Sequence, residues 1–265
     1  QALLPIMSLP GDPHRGDSLS TFYTPLYLPM GDGRPDPQVV CQSARAARRA
    51  PWHLAEVRCW PMDPDSPAME AIEAGFRQAG WWVDRYFCFG NWYQQVTQGA
   101  YAEYFAQRPS QTRNTVTRSA KKLTKMDGYR QVILRDPGEA LEQGILEFVE
   151  VYNKSWKRPE PFPEFIPELC RRSARAGMLR LGLIHVEGRP VAAQLWLVHQ
   201  HKAHIVKLAY DQGFDKASAG SVLTAALMAH VIDTDRVTEI DYLIGDDAYK
   251  RHWMGQRRER WGLVA

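Results

Sequence analysis

The chain lacks a paired-cysteine motif, a long apolar run and a strong excess of either charge. Its four cysteines, Cys41, Cys59, Cys88 and Cys170, are widely spaced with no C-x-x-C pair. That excludes the usual zinc frameworks and suits reduced, buried thiols in a cytoplasmic protein; no metal is expected. No apolar stretch approaches the length of a membrane span. A net charge of +3 is too small to imply a nucleic-acid partner by itself. The opening residues, Gln1-Ala2-Leu3-Leu4-Pro5, show no basic segment followed by a long apolar one, so no signal peptide is expected. The chain does not begin with Met, which leaves room for a preceding segment. What is present is a globular composition of 45% apolar and 11% aromatic residues. At 265 residues the chain can form one large domain or two lobes.

Residues 1–50 are rich in Pro and Gly, with one strand-like run at 21–28 whose two prolines favour an edge position. A strand is expected at 54–60 and a helix at 66–79, with Ser66 as its cap and Pro67 in its first turn. Two strands, 81–89 and 92–96, are expected around Gly90-Asn91, a hairpin-type dipeptide. A helical connection over 100–127 breaks at Pro109. Beyond that break Val116, Ala120, Leu123 and Met126 share one face, while Arg118, Lys121, Lys122 and Lys125 share the opposite one. The basic face reads either as an ordinary solvated surface or as a surface for phosphates of a carrier or a tRNA.

The second half starts with strand 129–135, then helices 138–156 and 163–176. Strands 179–186, 190–198 and 202–210 are joined by turns so tight that they must form an antiparallel meander. Helix 219–234 and strand 237–243 add a β-α-β crossover, so the pairing of 202–210 with 237–243 should be parallel. A short helix at 246–254 and a strand at 257–263 follow. A sheet that changes from antiparallel to parallel around a crossover helix can splay where the two strands meet. Ligands then lie beyond the strand ends, against the helix N-terminus. Those ends are Tyr210-Asp211 and Tyr242-Leu243.

Small residues at Lys216-Ala217-Ser218-Ala219-Gly220-Ser221 open that helix, where unpaired N–H groups can cradle a phosphate. The plainer reading is a helix start kept small for close packing on the sheet. Downstream, Asp241-Tyr242-Leu243-Ile244-Gly245 is followed by Tyr249-Lys250 and Trp253. These residues, with Ala209-Tyr210-Asp211 and Leu223, resemble the GNAT acyltransferase superfamily, in particular its CelD-like and FemAB-like branch. The resemblance covers about 129–265 well, and the basic helix and the Tyr23–Tyr27 segment also fit the branch, which often carries two GNAT-like lobes. It implies an α/β (α+β) fold: a mixed sheet with an antiparallel meander and a β-α-β crossover, preceded by a degenerate GNAT-like half. The division expected is an incomplete first lobe over 1–99, connecting basic helices over 100–128 and an acyltransferase domain over 129–265. In the superfamily's phosphate loop the aligned positions here are Lys216, Ala219 and Ser221, so neither usual glycine is in place, although Gly220 lies between.

The resemblance implies transfer of an acyl group from acyl-coenzyme A, or another phosphopantetheine thioester such as an acyl carrier protein, to an amine. Tyr210, Lys216, Ser218, Ala219, Gly220 and Ser221 are the expected donor-binding residues. Asp241 is the candidate base or amine-orienting group, Tyr249 the acid for the leaving thiolate, and Lys250 a stabiliser of the oxyanion or an anionic substrate. Asp211, Trp156 and Trp196 are candidates for the acceptor pocket, with core packing the alternative for both tryptophans. No nucleophilic side chain is needed when both substrates are held together. Two other readings stay open: a FemAB-like ligase fed by aminoacyl-tRNA, and a carrier-binding protein without turnover. His199, His201 and His204 cluster at a turn with no carboxylate near in sequence and read as surface polarity.

Overall fold

The computed structural model describes residues 2–9, 11–31, 34–96 and 100–265, with positions 215 and 216 described by their backbone alone. In chain order the elements are β1 (Ala2–Leu3), β2 (Ile6–Leu9), β3 (Asp12–Ser18), β4 (Met30–Gly31), α1 (Pro37–Ala47), β5 (Glu56–Met62), α2 (Pro67–Gln78) and β6 (Asp84–Gln95). Next come α3 (Tyr101–Ala106), α4 (Ser110–Leu123), β7 (Arg130–Leu134), α5 (Glu139–Lys154), α6 (Phe165–Arg175), β8 (Leu179–Val186), β9 (Arg189–His199) and β10 (Lys202–Tyr210). A 3-10 turn at Gln212–Ala217 leads into α7 (Ala219–Ala229) and a π turn at His230–Thr234. After β11 (Glu239–Asp241), a second 3-10 turn at Ala248–His252 precedes β12 (Gln256–Val264). The chain divides into two compact units.

The first unit holds Gln1–Asn91, Ile244–Asp246 and Arg257–Ala265. Its strands run in the order β2-β3-β5-β12-β6. α1 and α2 bring Val40, Ala44, Met69, Ile72 and Phe76 onto a core with Val57, Cys59, Met62 and Leu263. Both helices start as their sequences require. Asp36 accepts from Gln38 N and Ser66 from Met69 N, each followed by Pro at the first helical position. Two expectations fail in this unit. Residues 21–28 form no strand, because the Thr21 hydroxyl and backbone bond Tyr23 N and Thr24 N in a local turn. Gly90-Asn91 is no hairpin either, since β6 runs straight through it. A side chain at Gly90 would stand 2.6 Å from the Asp246 carboxylate, so the glycine marks a close approach and not a turn.

The second unit holds Trp92–Leu243 and Asp247–Gln256. The last residues of β6 open its sheet, followed by β11-β10-β9-β8-β7. The meander β8-β9-β10 is antiparallel and the β10–β11 pairing is parallel, as the connection lengths require. β8 is buried at all eight positions, because helices cover both faces. On one face Val222, Leu223, Leu227 and Met228 of α7 and Val116 and Leu123 of α4 pack on Ile184, Ala192 and Trp196. On the other, Leu141, Ile145 and Phe148 of α5 and Cys170 of α6 pack on Leu181, Leu183 and Leu195. α7 sits tightly against the sheet because Gly182 faces it; a Cβ there would meet Leu227 Cδ1 at 2.9 Å. The helix expected over 219–234 spans those residues, its α-helical part giving way to a π turn at His230.

Candidate active site

β10 and β11 part after three residue pairs. Lys202, Ala203 and His204 pair with Glu239, Ile240 and Asp241, and beyond them β10 bulges between Ile205 and Lys207 and continues to Tyr210. The bulge keeps β10 on β9, where Leu208 faces Gln194 and Tyr210 faces Ala192. β11 stops because Asp241 Oδ1 accepts from Leu243 N at 2.6 Å, and Leu243 takes a left-handed φ of 53°. The chain therefore turns away from β10 beyond the His204–Asp241 pair.

A cavity of about 360 Å³ occupies this side of the sheet. Leu208 and Tyr210 of β10 and Gln194 of β9 form its floor, and Ser218, Gly220, Ser221 and Thr224 bring in the first turns of α7. Gln111, Thr112 and Thr115 of α4, Trp156 after α5, and Tyr242, Tyr249, His252 and Trp253 complete the wall. Among the described residues no carboxylate belongs to that wall. The start of α7 is positioned from below. Gln194 Nε2 donates to Gly220 O (3.0 Å) and Thr224 Oγ1 (2.8 Å), and its Oε1 accepts from Trp196 Nε1 (2.9 Å). Tyr210 lies against the same turn, since a Cβ at Gly220 would stand 3.1 Å from its Cδ1. Ser218 enters the helix with φ 48° and ψ 38°, and its carbonyl accepts from Ser221 N and Val222 N. The N–H groups of Ala219 and Gly220 and the helix dipole make this end attractive to an anion.

The opposite wall is held by Trp253 O, which accepts from Tyr104 Oη (2.7 Å) and Arg108 Nη1 (2.8 Å). The Tyr249 ring stands edge-on to Tyr242, 5.8 Å between centroids. Burial, with the Asp247 charge second, raises the Tyr249 hydroxyl above its ordinary value and keeps it protonated. Tyr242 is buried, and its hydroxyl is raised for the same first reason. Lys250 is 4% exposed, 3.3 Å from Asp247 Oδ2 and 5.6 Å above the Tyr242 ring.

Of the residues singled out in the sequence, Tyr210, Ser218, Gly220, Ser221, Trp156 and Tyr249 stand together on the cavity wall. Ala219 is buried under the helix start. Lys250 is buried next to that wall, and the Lys216 side chain lies outside the described residues. Asp241 is buried in the turn it closes, and Asp211 serves its own turn by accepting from Gly213 N at 2.8 Å. Trp196 is not an acceptor-pocket residue: it is fully buried and supports Gln194. His199 and His201 are exposed, whereas His204 is half-buried. Gln194, Thr224, the α4 threonines and His252 are wall residues that the sequence reading passed over. Gln194 left one signal, as the lone polar residue in the apolar run 191–198.

Residues 110–251 match the model of the acetyltransferase (GNAT) domain, more than half of the chain, and the chain belongs to that family. Solved structures agree at the level of the fold. The C-terminal domain of a proposed lysylphosphatidylglycerol synthetase from Agrobacterium fabrum is 13% identical, with a TM-score of 0.66 over 100% of this chain and 83% of that one. L-PGS from Bacillus licheniformis is 12% identical, with a TM-score of 0.64 over 99% and 80%. FemX is 10% identical, with a TM-score of 0.64 over 97% and 82%. No curated protein matches the chain. Among the described residues no helix is long and apolar enough to cross a membrane.

Proposed function

We propose that this protein is an N-acyltransferase that moves an acyl group from a phosphopantetheine thioester, acyl-coenzyme A in the simplest case, to an amine. The observation that carries the reading is the parting of β10 from β11 over the cavity at the start of α7. The donor's phosphates suit the N–H groups of residues 219 and 220, and its extended arm suits β10 from Leu208 to Tyr210, beyond the last pair with β11. Attack by the amine nitrogen on the thioester carbonyl forms the C–N bond and breaks the C–S bond. The thiolate takes the Tyr249 proton, and the His252 imidazole on the wall accepts the proton that the amine gives up. Asp241 acts by closing the turn that sets Tyr242 in place, and Lys250 supplies positive charge behind Tyr249.

A second reading has its own support. The neighbours include a domain of a proposed lysylphosphatidylglycerol synthetase, whose product is an aminoacylated lipid by its name, and α4 presents Arg118, Lys121 and Lys122 outward, with Lys125 just beyond its end. An aminoacyl-tRNA donor would use that face. Thermal denaturation separates the two. Coenzyme A at about 100 times its Kd should stabilise the protein by about 2.7 kcal/mol, and total tRNA should not. A tRNA complex that weakens steeply with salt, with no response to coenzyme A, would replace the first reading with the second.

A further inference from the structure

Three wall residues on three different segments each have a lysine as chain neighbour: Trp156-Lys157, Lys207-Leu208 and Tyr249-Lys250. These lysines converge. Lys157 and Lys207 meet at the Tyr152 ring, and the charges of Lys207 and Lys250 both act against that of Lys157. Strand alternation puts Leu208 and Tyr210 toward α7 and Lys207 on the opposite face, where its Nζ lies 5.5 Å above the Tyr152 ring of α5. The Lys157 ammonium shares that face, 6.0 Å from the Tyr152 ring and 5.7 Å from the Trp156 ring. Trp156 in turn packs on Tyr210, 4.7 Å between centroids, so the cluster borders the cavity at its β10 edge.

Gathering like charges in a half-buried place disfavours them, and a fold gains nothing from it. The strain shows on Lys157, whose ammonium is pulled down to about 8, first by burial and then by repulsion from Lys207 and Lys250. Glu160 answers Lys207 at 2.7 Å and Asp247 answers Lys250 at 3.3 Å. An anion placed at Lys157 would relieve the repulsion. Among the described residues the wall offers no carboxylate to select a simple cationic amine.

On the reading that the cavity transfers acyl groups to amines, we infer that the acceptor carries a carboxylate or phosphate, held by Lys157 on the sheet face opposite α7. Titration calorimetry on the full chain tests this with three amines of matched reach: 3-aminopropyl phosphate, 4-aminobutanoate and the neutral 4-aminobutanamide. At least one anionic amine is expected to bind about tenfold or more tightly than the amide, as one charge-assisted contact supplies. The tighter of the two identifies the anion. Lys157→Gln should bring the ratio to about one, and Lys157→Arg should keep it. Should either variant fail to fold, the wild type still decides. Its preference must shrink between about pH 7 and about pH 9, as Lys157 loses its charge while both anions keep theirs. Equal or undetectable binding of all three amines, or a preference that survives Lys157→Gln, overturns the inference. Thiol release from acetyl-coenzyme A is read separately. A Lys157-dependent preference without thiol release defeats the acyl-coenzyme A reading alone, whereas equal turnover of neutral and anionic amines defeats this inference alone.

Discussion

Replacing Tyr249 with Phe is expected to slow acyl transfer by about 10²- to 10⁴-fold, the range of a positioned general acid. The ring remains, so the edge-on packing against Tyr242 and the shape of the wall should persist. Only the proton donor goes. A raised hydroxyl is a weak acid in water, but burial acts in the same direction on a thiolate formed beside it, so the transfer stays near balance. Donor binding should therefore change little, because the phosphates and the arm are held on α7 and β10. The loss should fall on kcat, measured as single-turnover product formation beside a donor titration. Tyr249→Phe with wild-type kcat would remove the acid role. Equal losses in kcat and donor affinity would make Tyr249 a packing residue instead.

Asp235→Ala is expected to cost about 3–5 kcal/mol of stability, the most damaging single change outside the cavity. Asp235 receives Arg180 Nε at 2.9 Å and Nη2 at 2.6 Å, and both side chains are about 5% exposed. The pair ties the turn after α7 to the first residues of β8, and Arg180 Nη1 also donates to Leu179 O. Without its partner the guanidinium would be buried and uncompensated. The double replacement Arg180→Met, Asp235→Leu removes both charges together and should cost clearly less than Asp235→Ala. Urea unfolding with an unchanged m-value provides the check. A single-mutant loss under about 1 kcal/mol would mean that water reaches the guanidinium.

Much of the second unit could be read from connection lengths. Two short turns after 186 and 199 leave no option but a meander, and the apolar helix after Ser218 forces a parallel return. Those two facts placed the cavity beside Tyr210 and Tyr242 before any side chain was seen. Local propensity did less well where long-range contacts decide. Gly90-Asn91 has the composition of a turn, but Asp246, far away in sequence, requires a glycine inside a strand. Asp241 looked like a base because carboxylates often are. Which of its neighbours it serves depends on a left-handed Leu243, a conformation that sequence patterning does not reveal. The wall residues of α4 and β9 were missed for a similar reason. Thr112, Thr115 and Gln194 gain their meaning only when helix and strand are brought to the same opening.

Hydrogen exchange with and without coenzyme A tests most directly whether the gap between β10 and β11 holds the donor. Amides at 218–222 and along 207–210 should exchange more slowly with ligand bound, because both segments lose their access to water. The basic face of α4 at 118–125 should be unaffected. Protection confined to 118–125, with 218–222 unchanged, would contradict a donor seated on the start of α7.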